Sequence, residues 1–281
     1  MGRPRILDEI GSLDPARDHQ RIVFLSTCFE FPFDTTRALE FALYRTYCVP
    51  SISALLDKTG EFLARPQKRY DDTDLIVSEL MEWGYDSERG RESLRRVNRF
   101  HRHYDIANDD FLYVLTTFHT EPIRWIDRFG WRRMTAHEQD ASYFFWREVG
   151  RRMAIRDIPP TRAAFEQWGA DHERTHFRYD DANRRVATST RELFASWFPR
   201  PTRPLVRAGI HAMLDEPMRA AFGFPHPLPG MRTLVAGALR ARGLALRAFP
   251  PRRHKGFLTT KPQRSWPGGY RIEELGPPPL L

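Results

Sequence analysis

Residues 108–131 read N-D-D-F-L-Y-V-L-T-T-F-H-T-E-P-I-R-W-I-D-R-F-G-W. Asn108, Asp109 and Asp110 are residue types that cap a helix start by accepting hydrogen bonds from its first free amides. Behind them Phe111, Leu112, Val114, Leu115 and Phe118 make a strongly apolar stretch at helical spacing. Glu121-Pro122 predicts a break or kink, because proline has no amide proton to donate and its ring crowds the preceding turn. Ile123, Trp125 and Ile126 continue the apolar pattern until Phe129-Gly130-Trp131 closes it.

The flanking sequence has the same period. Ser87 opens a helix in which Leu94, Val97, His101 and Tyr104 follow at steps of three, four and three and therefore share one face, with a histidine set in an apolar stripe. Further upstream, Asp71-Asp72-Thr73 are suited to capping, and Leu75, Ile76, Leu80 and Trp83 before Gly84 predict a helix over about 72–83. Downstream, Thr135 and Glu138 form a capping box before Ala141, Phe144, Phe145, Val149 and Met153, a helix expected to stop ahead of Pro159-Pro160. Thr161 starts another, and residues 162–198, free of internal proline, read as one long helix or two in sequence. The N-terminal third holds two apolar segments, Ile22 to Phe33 and Ala38 to Leu56, the second helical and broken near Pro50. Period-two strand patterns are scarce, so the expected class is all-α. The expected organisation is an N-terminal helical segment (1–59), a core (60–200), and a basic helical extension with a Pro/Gly-rich extended tail (201–281), joined by the proline-rich linker P-R-P-T-R-P at 199–204.

With 281 residues, 41% hydrophobic and 13% aromatic, the chain has too much buriable surface to be disordered. No uncharged apolar run approaches the ~18–20 residues that cross a bilayer. The first twenty residues lack the apolar core of a secretory signal, which makes cytoplasmic the default expectation. Cys28 and Cys48 are the only cysteines and form no C-x-x-C pair, which excludes a disulfide framework, a thiolate zinc cage and covalent haem attachment. The net charge of +8 is concentrated between Pro199 and Arg264, where thirteen basic residues face only Asp215 and Glu216. Nearly all of that charge is arginine, and aromatics are too dispersed among the arginines to favour RNA, so no nucleic-acid partner is expected. In Met231 to Phe249, Arg232, Arg240, Arg242 and Arg247 fall in one half of the helical wheel, with Leu234, Val235, Leu239 and Leu246 largely elsewhere. Such a helix packs its apolar side on the main domain or docks on an anionic membrane surface.

Two constellations carry chemistry. A neutral imidazole at His101, on the inner face of a helical bundle, suits a haem iron or another metal, and equally a hydrogen-bonded core position. H-E-R-T-H at 172–176 matches the zincin pattern, with His172 and His176 one turn apart and Glu173 as general base, but needs a third ligand, for which Glu192 is the nearby helical carboxylate. His103 points away from His101 and is expected to be exposed. His119, just past the apolar run, is assigned no role. No G-x-S-x-G, P-loop or G-x-G-x-x-G occurs.

Six stretches, R-P-Q-K-R-Y-D-D-T (65–73), R-R-V-N-R-F-H (95–101), N-D-D-F-L-Y-V-L (108–115), E-P-I-R-W (121–125), F-G-W-R (129–132) and F-W-R-E-V-G-R-R-M (145–153), occur in that order. As a series they resemble the catalytic domain shared by the MpaB oxygenases and the latex clearing proteins, the rubber oxygenases, over roughly residues 60–200. The resemblance implies a globin-like all-α domain with one haem b, its iron ligated by His101. It implies Arg69 and Thr73 as haem-pocket residues, Arg69 being suited to pair with a haem propionate, while Thr73 is equally a helix-cap residue. Where the rubber oxygenases carry a lysine before the threonine this chain has Asp72, so distal capping by lysine is not implied. The implied reaction is O₂-dependent cleavage of a C=C bond in an apolar small-molecule or polyprenyl substrate, isoprenoid or terpenoid in kind. Phe111, Leu115, Phe118, Phe144 and Phe145 are its candidate wall residues. An apolar substrate of this sort gives the basic C-terminal segment a reason for peripheral membrane contact. The alternatives are a zinc hydrolase built on His172, Glu173 and His176, or a non-catalytic helical protein binding membranes or RNA.

Overall fold

The computed structural model describes residues 3–249, 252, 255–256 and 258–277. Fourteen α-helices and no β-strand occur among them, so the all-α expectation holds. In chain order the first seven are α1 Arg3–Ser12, α2 His19–Leu25, α3 Pro32–Thr46, α4 Pro50–Lys58, α5 Glu61–Ala64, α6 Pro66–Trp83 and α7 Glu88–His101. They are followed by α8 Asn108–Phe129, α9 Ala136–Arg152, α10 Arg162–His176, α11 Asp181–Ser196, α12 Arg203–Met213, α13 Glu216–Phe222 and α14 Met231–Ala248.

α8 is the central element. It packs against α3, α9, α10 and α14, and buries Leu112, Tyr113, Leu115, Thr116 and His119 among them. The helix runs through Pro122 without a break, contrary to one of the two outcomes its sequence allows. Thr116, Thr117 and Thr120, in the turns before the proline, each donate to a carbonyl one turn back, at 2.7, 2.7 and 3.0 Å.

Several helix ends follow their local signals. The Thr135–Glu138 capping box is complete, and Thr161 caps α10 by accepting from the Ala164 amide. The 162–198 stretch is two helices, α10 and α11, separated at residues 177–180. α9 stops at Arg152, ahead of Pro159 as expected, and Ala154 and Asp157 then take positive φ. The expected start of α6 is corrected. Pro66 begins that helix in the first turn, where its missing amide proton costs nothing. Asp71, Asp72 and Thr73 are therefore interior residues, with both aspartates buried. The 199–204 segment is a 3-10 turn, Arg200–Thr202, running directly into α12 rather than a free linker.

α14 packs one apolar side on the protein, as one of the two expectations has it: Val235, Ala236, Leu239 and Leu246 are half-buried, Ala236 and Leu239 against the cluster of Phe31, Trp125 and Phe129. Of its arginines Arg242 is half-buried and pairs with buried Asp34 at 3.0 Å, whereas Arg232, Arg240 and Arg247 are exposed, Arg232 donating to the Leu214 carbonyl and Arg247 to the Trp131 carbonyl. Leu234 departs from the expectation and lies on an outward, uncharged strip with Thr233, Gly237, Ala238, Ala241, Leu244, Ala245 and Ala248, all exposed. The C-terminal tail is corrected as well. Its described part, through Pro277, is bound along α6 and α7 instead of extending freely, while residues 278–281 lie outside the described residues.

α6 and α7 are joined by a tight corner. Gly84 has φ +80°, and a side chain on Gly90 would place its Cβ 2.0 Å from the Gly84 carbonyl oxygen. Backbone cannot give way there as a flexible side chain would. Gly90→Ala is expected to cost ~1–3 kcal/mol, the usual penalty of overpacking. Thermal unfolding should then fall by roughly 2–5 °C for a chain of this size. An unchanged Tm would show that the corner opens freely.

Candidate active-site cavity

α4, α6, α7, α8, α11 and the ends of α3 and α9 enclose a cavity of about 510 Å³, inside the ~300–1,000 Å³ range of small-molecule sites. Leu94, Val97, His101 and Tyr104, the stripe legible in the sequence, all line it. Opposite them α8 contributes Phe111, Val114, Leu115 and Phe118. Phe144 and Phe145 do not line the cavity: Phe145 is fully buried in the core beside Tyr85 and Trp146, and Phe144 packs against Tyr143 and His19. The N-terminal third, whose sequence carries no chemical signal, supplies Leu43, Thr46, Tyr47 and the α4 residues Ile52, Leu55 and Leu56 to the wall.

His101 ends α7 with its ring 5.0 Å from that of Phe111. Its Nδ1 is buried and has no hydrogen-bond partner. Burial, with the Arg69 charge as the second cause, pushes its pKa down to about 4, so the imidazole is neutral across the physiological range. Arg69 and Thr73 also line the cavity. They sit one turn apart on α6, where the Arg69 guanidinium donates to Thr73 Oγ1 and the Thr73 hydroxyl donates to the Arg69 carbonyl at 2.9 Å. Thr73 is thus not a cap residue but a partner that holds Arg69, whose guanidinium also lies 5.4 Å from the Phe62 ring centre. Among the described residues no carboxylate forms an ion pair with Arg69.

Two acidic wall residues stand out, Glu40, which no sequence signal marks, and Asp72, which the sequence marks only as a cap candidate and as a departure from the lysine pattern. Glu40, on α3, accepts from the Tyr70 hydroxyl and pairs with Arg37 at 2.7 Å. Burial nevertheless raises its carboxyl pKa to about 7. Asp72, the residue that departs from the rubber-oxygenase pattern, is 3% exposed and fully engaged. It pairs with Lys68 at 2.6 Å and accepts from Trp266 Nε1 and the Gly276 amide, both at 2.9 Å.

The zinc constellation does not assemble. His172 and His176 stack with ring centres 4.0 Å apart, but Glu173 turns away to Arg45, Tyr113 and Arg124. Glu192 is held by Arg191 and Arg207. Among the described residues no three histidine, cysteine or acidic side chains gather around one point, as a zinc site requires. His119 is wholly buried and satisfied by Ser142 and Glu166, each at 3.1 Å. His103 is exposed, as expected, and both cysteines are buried and free.

His172 is packed between Tyr113 and Trp168, and burial lowers its pKa to about 4 from the ordinary 6.5. The unfolded chain therefore takes up a proton at pH values where the folded chain does not. Stability contributed by this group is complete above pH 6.5 and is lost as pH falls toward 4. His19, His101, His119 and His211, all lowered in pKa, share the direction. His172→Phe keeps the ring stack and removes the proton, so denaturant melts at pH 4.5 and 7 should show a smaller pH dependence than in the native chain. An unchanged difference between the two pH values would contradict this.

The family model described as "ER-bound oxygenase mpaB/B'/Rubber oxygenase, catalytic domain" matches residues 41–248. The chain is 31% identical over 243 residues to "ER-bound oxygenase mpaB'" of Penicillium brevicompactum, covering 80% of this chain and 57% of that protein. It is 31% identical over 211 residues to "ER-bound oxygenase mpaB" of Penicillium roqueforti, covering 68% of this chain and 70% of that protein. A further "ER-bound oxygenase mpaB", from Penicillium brevicompactum, is 33% identical over 193 residues, 62% of this chain and 49% of its own length. The chain thus spans between about half and 70% of the length of these relatives. With a match over most of its length, the chain belongs to the oxidoreductase family of mpaB/B′ and rubber oxygenase catalytic domains.

Proposed function

We propose that this chain is a haem b-dependent oxygenase that cleaves a C=C bond of an apolar isoprenoid or terpenoid alkene with O₂, one oxygen atom passing to each of the two carbonyl products. The observation that carries the reading is the convergence of His101, Arg69 and Thr73 on one largely apolar cavity, with a buried, unpartnered nitrogen on His101. These residues fit the group. His101 offers a neutral imidazole as axial ligand. Arg69, without a carboxylate of its own among the described residues and steadied by Thr73, offers forked donors to a propionate.

Bound haem supplies the O₂ chemistry. The protein's own share is positioning, exclusion of water and proton handling. Phe111, Leu115, Phe118 and Trp146 give an apolar surface against which an alkene chain can lie without losing hydrogen bonds to water. Glu40 Oε1, hydrogen-bonded by Tyr70 and with a pKa near 7, can hold or release a proton at the cavity wall at neutral pH.

The same reading includes peripheral contact with an anionic bilayer through α14. No described helix is long and apolar enough to cross a membrane. The exposed face of α14 instead presents Leu234 and Leu244, 63% and 59% exposed, beside Phe249 at 63%. Arg232, Arg240 and Arg247 flank that face, and among the described residues no carboxylate pairs with them. An uncharged face rimmed by cations suits the headgroup region of anionic lipid.

Two experiments test these claims. His101→Gly should lose the Soret absorption of the purified protein and regain it with millimolar imidazole, which fills the vacated ligand position. A variant that keeps the native spectrum without imidazole would remove His101 as ligand. For the membrane, Leu234→Asp/Leu244→Asp should cut co-sedimentation with phosphatidylserine-containing vesicles at least tenfold, with little effect on folding because both residues are exposed. Equal sedimentation of variant and native chain would exclude α14 as the contact.

A further inference from the structure

The helix that carries Arg69 and Thr73 has a second face. On α6, Asp71, Asp72, Glu79 and Glu82 are 1%, 3%, 0% and 5% exposed. What buries them is the C-terminal tail, nearly 200 residues away in sequence and beyond the end of the family match at residue 248. Thr259 donates its amide and hydroxyl to Glu82 at 2.9 and 2.8 Å, and Gln263 donates to Asp74 at 2.7 Å. The Ser265 amide bonds Asp71 at 2.8 Å, and the Tyr270 hydroxyl bonds Glu79. At the far end Asp72 takes both Trp266 Nε1 and the Gly276 amide, while Lys68 bridges Asp72 and the Gly276 carbonyl at 3.0 Å. Arg96, on α7, donates to the Leu275 carbonyl at 2.7 Å.

This fastening ends at the cavity. Gly276 and Pro277 line it, Gly276 beside Phe100, the residue that precedes His101. Gly276 has φ +92°, and a Cβ there would lie 2.2 Å from the Phe100 ring, so the backbone passes directly over that ring. Leu275, fully buried against Leu75, Ile76 and Val97, is an apolar anchor, with Trp266 and Tyr270 of the tail packed on the same cluster and Leu258 and Ile272 also buried.

We propose that the C-terminal tail is a releasable wall of the ligand cavity, latched by Asp72, which sets how fast apolar ligands enter and leave. The chemistry of many of the contacts favours a latch over permanent core. Carboxylates, amides and a tyrosine hydroxyl exchange their partners for water with small net change, and they alternate along the tail with the apolar anchors Leu258, Ile272 and Leu275, 4%, 5% and 0% exposed. A tail held in this way can open without unfolding the helices beneath it. Asp72 is the residue through which opening is communicated, because it is a cavity-wall residue hydrogen-bonded to two separate points of the tail. Asp72 is thus a positioning residue in this chain, at the place where the rubber-oxygenase resemblance would have put a lysine.

The proposal rests on the cavity being the ligand site, and not on haem. Its test is stopped-flow entry of an uncharged apolar fluorophore, N-phenyl-1-naphthylamine, into the full-length chain. A Val114→Trp wall substitution, expected to abolish the signal, identifies the cavity as the place of binding. In the native chain the entry rate should level off at high probe concentration, the plateau being the rate of tail opening. Asp72→Ala and, separately, Trp266→Ala should raise that plateau at least tenfold. Amide exchange across 258–277 should accelerate in both variants and stay unchanged in α8. Trp266 lies in the tail, so its variant tests the latch even where Asp72→Ala lowers overall stability. Entry rates and tail exchange that match the native chain in both variants would overturn the latch. Absence of any cavity signal in native and variant chains alike would refute the cavity as an apolar-ligand site and the wall with it, a result distinct from a latch that makes no difference.

Discussion

One guanidinium ties the fold together. Arg45, at the end of α3, is 7% exposed and bonded to three carboxylates from three other places: Glu121 of α8 at 2.9 Å, Glu173 of α10 at 3.0 Å, and Asp215, the cap of α13, at 2.5 Å. A buried cation is tolerable only with its partners in place, and removing one partner strands charge in a poor solvent. The registration of α3, α8, α10 and α13 is therefore linked. Because Thr46 and Tyr47 follow Arg45 directly and Phe111 to Phe118 precede Glu121 on α8, the same clamp fixes two facing walls of the cavity.

Buried charge recurs elsewhere with a different purpose. Arg132 joins Glu30 and Glu138 at the start of α9, a short bridge between sequence-distant turns. The α6 carboxylates instead bond to amides and polar side chains of the tail, groups whose place water could take. Between these two kinds of contact lies the cavity, whose mostly apolar wall includes neutral His101, Glu40 with its carboxyl pKa raised to about 7, and the Arg69 guanidinium, besides the acidic residues Glu61, Asp72, Asp105 and Asp110. Low polarity preserves those states, since an apolar wall weakens competing hydration and makes each remaining charge felt more strongly.

Local signals in the sequence were legible wherever the physics is local. The Thr135–Glu138 box, the Thr161 cap and the Leu94–Val97–His101–Tyr104 stripe each depend on neighbours within one or two turns, and each is present. Asp71 and Asp72 misled because two aspartates before an apolar run resemble a cap, when their partners are Ser265, Trp266 and Gly276 far along the chain. The helical wheel of α14 was legible in part: Arg232, Arg240 and Arg247 are exposed and Leu239 packs inward, whereas Arg242 reaches back to buried Asp34, a partner far along the chain. The contributions of α3 and α4 to the cavity carry no motif at all, being ordinary apolar side chains selected by tertiary packing. Glu40 was equally silent, although a lone acid between apolar Leu39 and Phe41 was a signal available to notice.

The account stands on a cavity built around the imidazole of His101. The most direct test is the pyridine haemochrome assay on native protein expressed with iron and 5-aminolaevulinate, read against protein concentration. The account predicts one haem b per chain. Folded, helical protein with no haem under those conditions would contradict it.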